Sequence, residues 1–368
     1  MSLRKLVLES EEILLSELSI KPEKSIYQVY PDNKWFEFVR KTGSHPDSHG
    51  VYLPRALSAY LKESSEYLPV NLLHEYFGHG LFCEHAITGQ KIVSLEQSLA
   101  ETEKQMLNLA ELPDGSHFQV DETNPYFQQY KSQRGELQQF FSQNVHNYEG
   151  FAMWLEYFLS KAINQEDLFE QKMDELVHPD YKRLFEQFQS FSEQNGNFAL
   201  IAQLGFPKYY DNNTIVDTLR RIYKDNFDSI QLAILYGSGK PYSDIDLFIV
   251  SDKIQSCYNP WLDIYVRTPS DFETDSINLS IAVTDPLFSG KTIIGNSNYQ
   301  QQLQQRILHQ PITQEAIQYN LTQSKEQERI ALMYPENSKE RDIAQSYQQS
   351  FKRNAEELQN GNKILTLR

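Results

Sequence analysis

The chain has 368 residues, with 50 acidic and 34 basic side chains and a formal net charge of −16 at pH 7. This surplus of negative charge repels phosphate backbones, so we expect a small-molecule or protein acceptor rather than a long nucleic acid. Hydrophobic residues make up 40% of the chain, which excludes a disordered protein and leaves room for two domains.

The N-terminal run MSLRKLVLESEEILLSE carries acidic residues where a signal peptide needs an apolar core, and no apolar run reaches the length of a membrane span. The two cysteines, Cys83 and Cys257, fall in regions that we predict to be separate domains. A disulfide framework is therefore not expected. The sequence predicts a cytoplasmic protein with no membrane partner.

Helical patterning dominates the first half of the chain. Before the helical pattern begins, residues 1 to about 67 combine a charged amphipathic start with the turn-rich stretch GSHPDSHG. His45 and His49 in that stretch could bind a metal, but they are more typical of loop histidines. From Pro69 the pattern turns helical. Further helices are predicted over residues 94–109, 125–143, 147–161 and 181–194.

The helix that begins at Pro69 carries His74, Glu75 and His79 in the run HEYFGH. On a regular α-helix five residues turn through about 500°, which leaves the two histidines about 140° apart. A local widening of the helix, as in a π-bulge, would bring both to one face. Gly78 directly precedes His79 and makes such a distortion cheap. The spacing therefore predicts a widened turn if both histidines bind one metal.

This motif resembles the zinc helix of the dipeptidyl peptidase III family, which reads HExxGH followed by glycine. In that family a later helix supplies the third ligand, a glutamate with an alanine three residues beyond it, and Glu149 and Ala152 match this pattern. Glu-Gly-x-Ala also recurs in other glutamate-liganded zinc peptidases. The resemblance implies that His74, His79 and Glu149 bind Zn²⁺. It also implies that Glu75 is the general base for a zinc-bound water and that a peptide is the substrate.

The chain departs from that family beside the third ligand. Where the family has acids that orient the histidines, this chain has Tyr148 and Met153. Glu156, about two turns along the same helix, is the candidate substitute. The resemblance covers two short helices, so release of dipeptides is not implied. The alternatives are ordinary helix histidines with an unrelated glutamate, or a different site in which His79 joins Cys83 and His85.

The run LAILYGSGKPYSDIDLFIV, residues 232–250, predicts a strand, a tight turn and a second strand. Because side chains alternate along a strand, Asp244 and Asp246 point to one face, while Ile245 and Leu247 point into the core. Two carboxylates this close repel each other unless a hard cation lies between them. Mg²⁺ prefers such oxygen ligands together with substrate phosphates.

A third acid, Asp263, lies in the next predicted strand, residues 261–266. Three carboxylates on adjacent strands can hold two metals for in-line attack on a nucleotide phosphorus. Gly237 lets the backbone approach a phosphate closely, and the Ser238 hydroxyl can donate to its oxygens.

Gly237, Ser238, Asp244, Asp246 and Asp263 together resemble the pattern of the nucleotidyltransferase superfamily: Gly-Ser, a loop, Asp-x-Asp and one Asp on a later strand. The resemblance implies transfer of a nucleoside monophosphate from an NTP, expected to be ATP, to a hydroxyl of a small molecule or protein. It implies that the three aspartates hold Mg²⁺, with Asp263 also the candidate base, and that Gly237 and Ser238 bind the nucleotide phosphates.

The loop between Ser238 and Asp244 is about half the length usual in that superfamily, and Lys240 is the candidate to reach the phosphates instead. The segment DPLFSGKTIIG, residues 285–295, is similar to the one that closes the superfamily's nucleotide pocket. The alternative interpretation of this region is an acid-tipped β-hairpin without chemistry.

Beyond residue 296 the pattern returns to glutamine-rich helices, which either cover the sheet or form an oligomer interface. The sequence as a whole predicts an α+β multidomain protein with Zn²⁺ and Mg²⁺ as cofactors. The alternatives are a protein with only one active domain and a regulatory protein that binds nucleotide and metal without turnover. The predicted parts are a mostly helical metallopeptidase-like domain (1–206), an α/β nucleotidyltransferase domain (207–296) and a helical C-terminal region (297–368).

Overall fold

The computed structural model describes residues 2–45, 47–110, 120–175 and 179–367. The protein is α+β, with many helices and two small mixed sheets. It divides into two compact units, Met1–Tyr209 and Tyr210–Arg368, whereas the predicted three-domain division stays a prediction. Within the described ranges, no helix is both long enough and apolar enough to cross a membrane.

A three-stranded sheet lies near the start of the first unit, where we predicted only an amphipathic start and a turn-rich stretch. Its strand order is β1-β3-β2, with β1 parallel and β2 antiparallel to the central strand, so β2 lies at an edge. Strands of four or five residues offer too few positions for a clear alternation in the sequence. The elements are α1 (Leu3–Glu17), β1 (Ile26–Tyr30), α2 (Asp32–Thr42), β2 (Gly50–Leu53) and β3 (Ser58–Lys62).

Helices make up the rest of the first unit. The two helices predicted over residues 125–143 and 147–161 form one helix of 36 residues, so the predicted break is wrong. The polar side chains of Ser142 and Asn144, at the predicted break, bond back to carbonyls of the preceding turn within this continuous helix. The elements are α3 (Leu68–Leu72), a π-helical turn (Leu73–His79), α4 (Gly80–His85), α5 (Ile87–Ala110), α6 (Phe127–Ala162), α7 (Glu166–Glu175), α8 (Pro179–Asn195) and α9 (Asn197–Gln203).

The second unit contains a five-stranded mixed sheet in the order β6-β7-β5-β4-β8. Strands β4 and β5 pair antiparallel, which confirms the predicted hairpin, and β5 and β7 pair parallel. The elements of the sheet and its neighbouring helices are α10 (Asn212–Tyr223), β4 (Leu232–Tyr236), β5 (Ile245–Val250), β6 (Cys257–Tyr258), β7 (Leu262–Arg267), α11 (Pro269–Ile277), α12 (Ile281–Ser289) and β8 (Lys291–Ile294).

Three C-terminal helices pack onto this sheet and share its core. This agrees with the first of the two predicted alternatives, in which these helices cover the sheet. Leu303, Ile307 and Leu358 from these helices join Phe248 of β5 in one buried apolar cluster. The side chain of Asn354 bonds to Leu279 O and to an asparagine of the neighbouring helix, which fixes the last helix in place. The helices are α13 (Ser297–His309), α14 (Gln314–Met333) and α15 (Lys339–Gln359).

Candidate metal centres

The predicted widening of the HEYFGH helix is confirmed, because Leu73–His79 forms a π-helical turn between α3 and α4. The rings of His74 and His79 lie 4.7 Å apart between centroids and nearly perpendicular. A Cβ at Gly78 would lie 2.7 Å from both Cα and Cβ of Ala152, so α6 crosses directly over this turn and leaves no space for a side chain. This close crossing brings Glu149, one turn before Ala152, to the two histidines.

Three ligand atoms converge at the crossing. Glu149 Oε2 lies 3.8 Å from His74 Nε2 and 3.7 Å from His79 Nε2, and all three atoms lie within 4.8 Å of one another. Because zinc takes such ligands at about 2.0–2.1 Å in a tetrahedral arrangement, neighbouring ligand atoms lie roughly 3.4 Å apart around the ion. A small contraction would therefore let the two nitrogens and one oxygen hold zinc, so these residues fit that metal.

Glu156 orients His74, in the way expected of the missing flanking acids. Its Oε2 lies 2.9 Å from His74 Nδ1, and its Oε1 accepts a hydrogen bond of 2.7 Å from Lys172 Nζ. Burial acts to raise the pKa of Glu156, but Lys172 and the hydrogen bond to His74 outweigh it and hold that pKa below its ordinary value. The buried carboxylate therefore stays ionised and fixes the ring of His74.

His79 is held differently. Its ring stacks on Tyr148 with 4.0 Å between centroids and an angle of 16°, and its buried Nδ1 makes no hydrogen bond among the described residues. Burial lowers the pKa of His79 to about 3, which leaves the neutral form that a metal requires. Burial also disfavours charge on His74, but the neighbouring carboxylates of Glu149 and Glu156 prevail and raise its pKa to about 9. The two histidines thus differ in protonation.

Glu75 faces the same cavity as the three ligand residues. This cavity has a volume of about 750 Å³, and β2 forms part of its wall. A Cβ at Gly50 of β2 would lie 2.7 Å from Glu75 Cγ, so the carboxyl group lies directly against the strand. Burial, together with the charge of Glu149, raises the pKa of Glu75 to about 7. A carboxyl group with this pKa can take up and return a proton at neutral pH.

Two other clusters considered from the sequence do not form metal-binding groups within the described ranges. Cys83 is buried in the core, and His85 Nε2 lies 2.9 Å from the carbonyl oxygen of Lys21. His49 Nδ1 lies 3.1 Å from a serine hydroxyl, as expected of a loop histidine.

The second centre lies where β5 and β7 begin. Asp246 and Asp263 are directly paired positions of the parallel ladder, and Asp244 immediately precedes β5. One oxygen from each of the three carboxylates lies within 4.8 Å of the others. Ile245 and Leu247 are buried, as the predicted alternation requires. The predicted acids are therefore brought together, in an arrangement that fits a hard divalent cation.

Gly237 follows β4 and lies against this centre. It has a φ of 100°, and a Cβ there would collide with Oδ2 of Asp246, so only glycine fits without displacing a carboxylate. Ser238 and Lys240 lie in the exposed turn that follows, where the Ser238 hydroxyl accepts a hydrogen bond of 3.3 Å from the Lys240 amide. Ser238 and Lys240 therefore follow closely in sequence after the glycine that lies against Asp246.

One residue at this centre was missed by the sequence analysis. Lys339, the first residue of α15, places Nζ 2.7 Å from Asp263 Oδ1 and 3.6 Å from Asp244 Oδ2. The same nitrogen donates a hydrogen bond of 2.6 Å to Asn259 O. Lys339 lies 76 residues beyond Asp263 in the chain, so no local pattern could have linked them.

No model of a protein family matches this sequence, and no curated protein matches it. The resemblances to zinc peptidases and to nucleotidyltransferases therefore rest on local motifs and on the geometry of the two centres alone.

Proposed function

We propose that the first unit is a zinc-dependent hydrolase that cleaves peptide bonds or related amides. The observation that carries this proposal is the convergence of His74, His79 and Glu149 at the π-helical turn, beside Glu75 in the same cavity. Zinc held by the three ligands would supply a Lewis acid that polarises the scissile carbonyl and acidifies a bound water. Its fourth coordination position would be left to water or substrate.

The proton transfers fall to Glu75 in this proposal. Its carboxylate accepts a proton from the attacking water and returns it to the leaving nitrogen. The pKa of about 7 supports this role, because both protonation states are then accessible near neutral pH. Glu156 keeps the His74 ring in position and Lys172 keeps Glu156 ionised, so these two act as positioning residues.

The wall of the cavity supports a peptide as substrate. Strand β2 pairs with β3 on one side only and lies at the edge of its sheet. An extended peptide can add to such an edge through main-chain hydrogen bonds, with its alternate side chains turned into the cavity. Gly50 at the start of β2 leaves no side chain between this strand and Glu75. A peptide bound along β2 would therefore pass beside the proposed base.

The test is hydrolysis of a fluorogenic peptide library by the wild-type protein and by Glu75→Gln. We expect the variant to retain zinc but to lose about 10²- to 10⁴-fold in kcat/KM, the usual contribution of a general acid–base group. Glu136→Gln, an exposed position on α6, is the matched control and should keep full activity. Peptide hydrolysis that survives in Glu75→Gln would contradict the assigned role.

For the second unit, we propose a nucleotidyltransferase that transfers a nucleoside monophosphate from an NTP, with ATP the first candidate, to a small-molecule or protein hydroxyl. The convergence of Asp244, Asp246 and Asp263 beside Gly237 favours it. Mg²⁺ held by the acids would offset the charge of the phosphates. The close backbone at Gly237 and the hydroxyl of Ser238 would bind phosphate oxygens.

This second activity predicts Mg²⁺-dependent ATP binding that Asp246→Asn abolishes. Asp252→Asn, an exposed position just after β5, is the control and should bind ATP normally. Unchanged ATP binding in Asp246→Asn would refute the mechanism. Binding of ATP and metal without product formation, tested over a broad panel of acceptors, would favour a regulatory protein instead.

Both cysteines are free thiols, which suits the reducing cytoplasm that we propose as the compartment.

A further inference from the structure

We propose that Lys339 takes the place of a second divalent cation in the nucleotidyltransferase centre, which then holds a single Mg²⁺ at Asp244 and Asp246. This inference rests on the proposed nucleotidyltransferase function. It departs from the expectation that three carboxylates hold two metals, and it gives Asp263 a different role. Asp263 becomes the residue that positions the Lys339 ammonium.

The contacts of Lys339 are those of a cation held within the centre. The ammonium lies 2.7 Å from Asp263 Oδ1 and 3.6 Å from Asp244 Oδ2, so it bridges two of the three carboxylates. Its third partner, the carbonyl oxygen of Asn259 at 2.6 Å, is uncharged and holds the ammonium independently of the acids. Three oxygen atoms thus surround Nζ, as oxygen ligands surround a hard metal ion.

The start of α15 is fixed in place, so Lys339 is not a freely moving surface side chain. Ser338 caps the helix by accepting a hydrogen bond from the Arg341 amide, and its hydroxyl lies 3.2 Å from that nitrogen. Further along, Phe351 is buried and Asn354 bonds to the neighbouring elements. A positive charge in the first turn of a helix is unfavourable, because the N-terminal end of the helix dipole is itself positive. Helix stability therefore does not account for the lysine, whereas the acids of the centre do.

A second metal ion would have to share the carboxylate of Asp263 with the Lys339 ammonium. In two-metal sites the ions lie about 3.5–4 Å apart, and each takes oxygen ligands from the same group of carboxylates. A divalent ion bound to Asp263 would therefore lie close to Lys339 Nζ and would be repelled by it. Oδ2 of Asp246 lies against Gly237, so a single ion held by Asp246 would lie beside the backbone that is proposed to bind the phosphates.

The test counts divalent ions on the 368-residue chain after it has been incubated with zinc. Mn²⁺ is titrated in the presence of a non-hydrolysable ATP analogue, and electron paramagnetic resonance measures the free ion. We expect one nucleotide-dependent Mn²⁺ per chain in the wild type and in Lys339→Arg. In Lys339→Met we expect a second Mn²⁺, bound at least tenfold more tightly than any second ion of the wild type. The control Lys352→Met, an exposed position on the same helix, should bind one.

The failures of this proposal and of the underlying function are distinguishable. Two nucleotide-dependent Mn²⁺ ions in the wild type would overturn the role of Lys339 and leave the nucleotidyltransferase proposal standing. A single ion in both the wild type and Lys339→Met would also overturn it, because the lysine would then exclude nothing. No nucleotide-dependent Mn²⁺ in the wild type would overturn both. If Lys339→Met does not fold, Lys339→Gln, which also lacks the positive charge, takes its place in this comparison.

Discussion

Removing the ammonium of Lys172 should weaken zinc binding without touching a zinc ligand. Lys172 Nζ donates a hydrogen bond of 2.7 Å to Glu156 Oε1, and Glu156 in turn holds His74 Nδ1 at 2.9 Å. The side chain of Glu156 is only 1% exposed, so water cannot replace the lost partner. In Lys172→Met the Glu156 carboxylate keeps only His74 as a charged partner, and it holds the His74 ring in position less firmly.

The size of the effect follows from these contacts. A hydrogen bond to a charged group contributes about 1.5–3 kcal/mol, and breaking a fully buried ion pair costs about 3–5 kcal/mol. Because Lys172 is 17% exposed and His74 remains bound to the other oxygen of Glu156, we expect a loss of about 2 kcal/mol in the free energy of unfolding. For a unit of this size, that loss lowers Tm by about 4–8 °C. Loss of such outer support typically lowers metal affinity by about 10- to 100-fold.

Two assays check this prediction. Calorimetry gives the Tm of the metal-free protein, and competition with a fluorescent chelator gives the zinc affinity. Lys131→Met, an exposed position on α6, is the matched control, and Lys172→Arg should restore most of the affinity by keeping the charge. If Lys172→Met left both Tm and zinc affinity at wild-type values, the argument that this ion pair orients the zinc ligand would be refuted.

Two further substitutions and one measurement of proton release test other parts of the two centres. Gly78→Ala should destabilise the first unit by about 1–3 kcal/mol and lower zinc occupancy, because its Cβ overlaps α6. The control is Gly135→Ala, whose added Cβ meets open space, so this variant should not destabilise the first unit. Thermal unfolding and zinc analysis of the two variants give the comparison. Gly237→Ala should abolish Mg²⁺-dependent ATP binding by displacing Asp246, and wild-type affinity in calorimetric titration would contradict this. Zinc binding at pH 7 should release about one proton, because the pKa of about 9 keeps His74 protonated until the metal displaces its proton. Zinc affinity should then rise by about tenfold per pH unit up to pH 9, and binding heats that are the same in all buffers would refute it.

Local spacing predicted the parts of both centres that lie on single elements. His74 and His79 are five positions apart and cannot share one face of a regular helix, and the π-helical turn is the geometry that resolves this. Glu156 was found because two helical turns return it to the face of α6 that carries Glu149. Strand alternation likewise placed Asp246 beside its neighbouring acid.

What the sequence missed comes from separate elements. Lys172 lies on α7, beyond the end of α6, and Lys339 lies 76 residues beyond Asp263, so neither pair forms a periodic pattern. The edge strand β2 was missed because four residues give too little alternation to separate a strand from a loop. Its part in the cavity wall depends on pairing with a strand further along the chain, which only the folded structure reveals.

The central claim is that the first unit binds zinc at His74, His79 and Glu149. Its most direct test is elemental mass spectrometry on protein purified without added metal or a histidine tag. We expect one zinc per chain in the wild type and in His146→Ala, an exposed histidine on the same helix as Glu149, and none in His79→Ala. A wild-type protein without zinc, or a His79→Ala variant that keeps it, would contradict the claim.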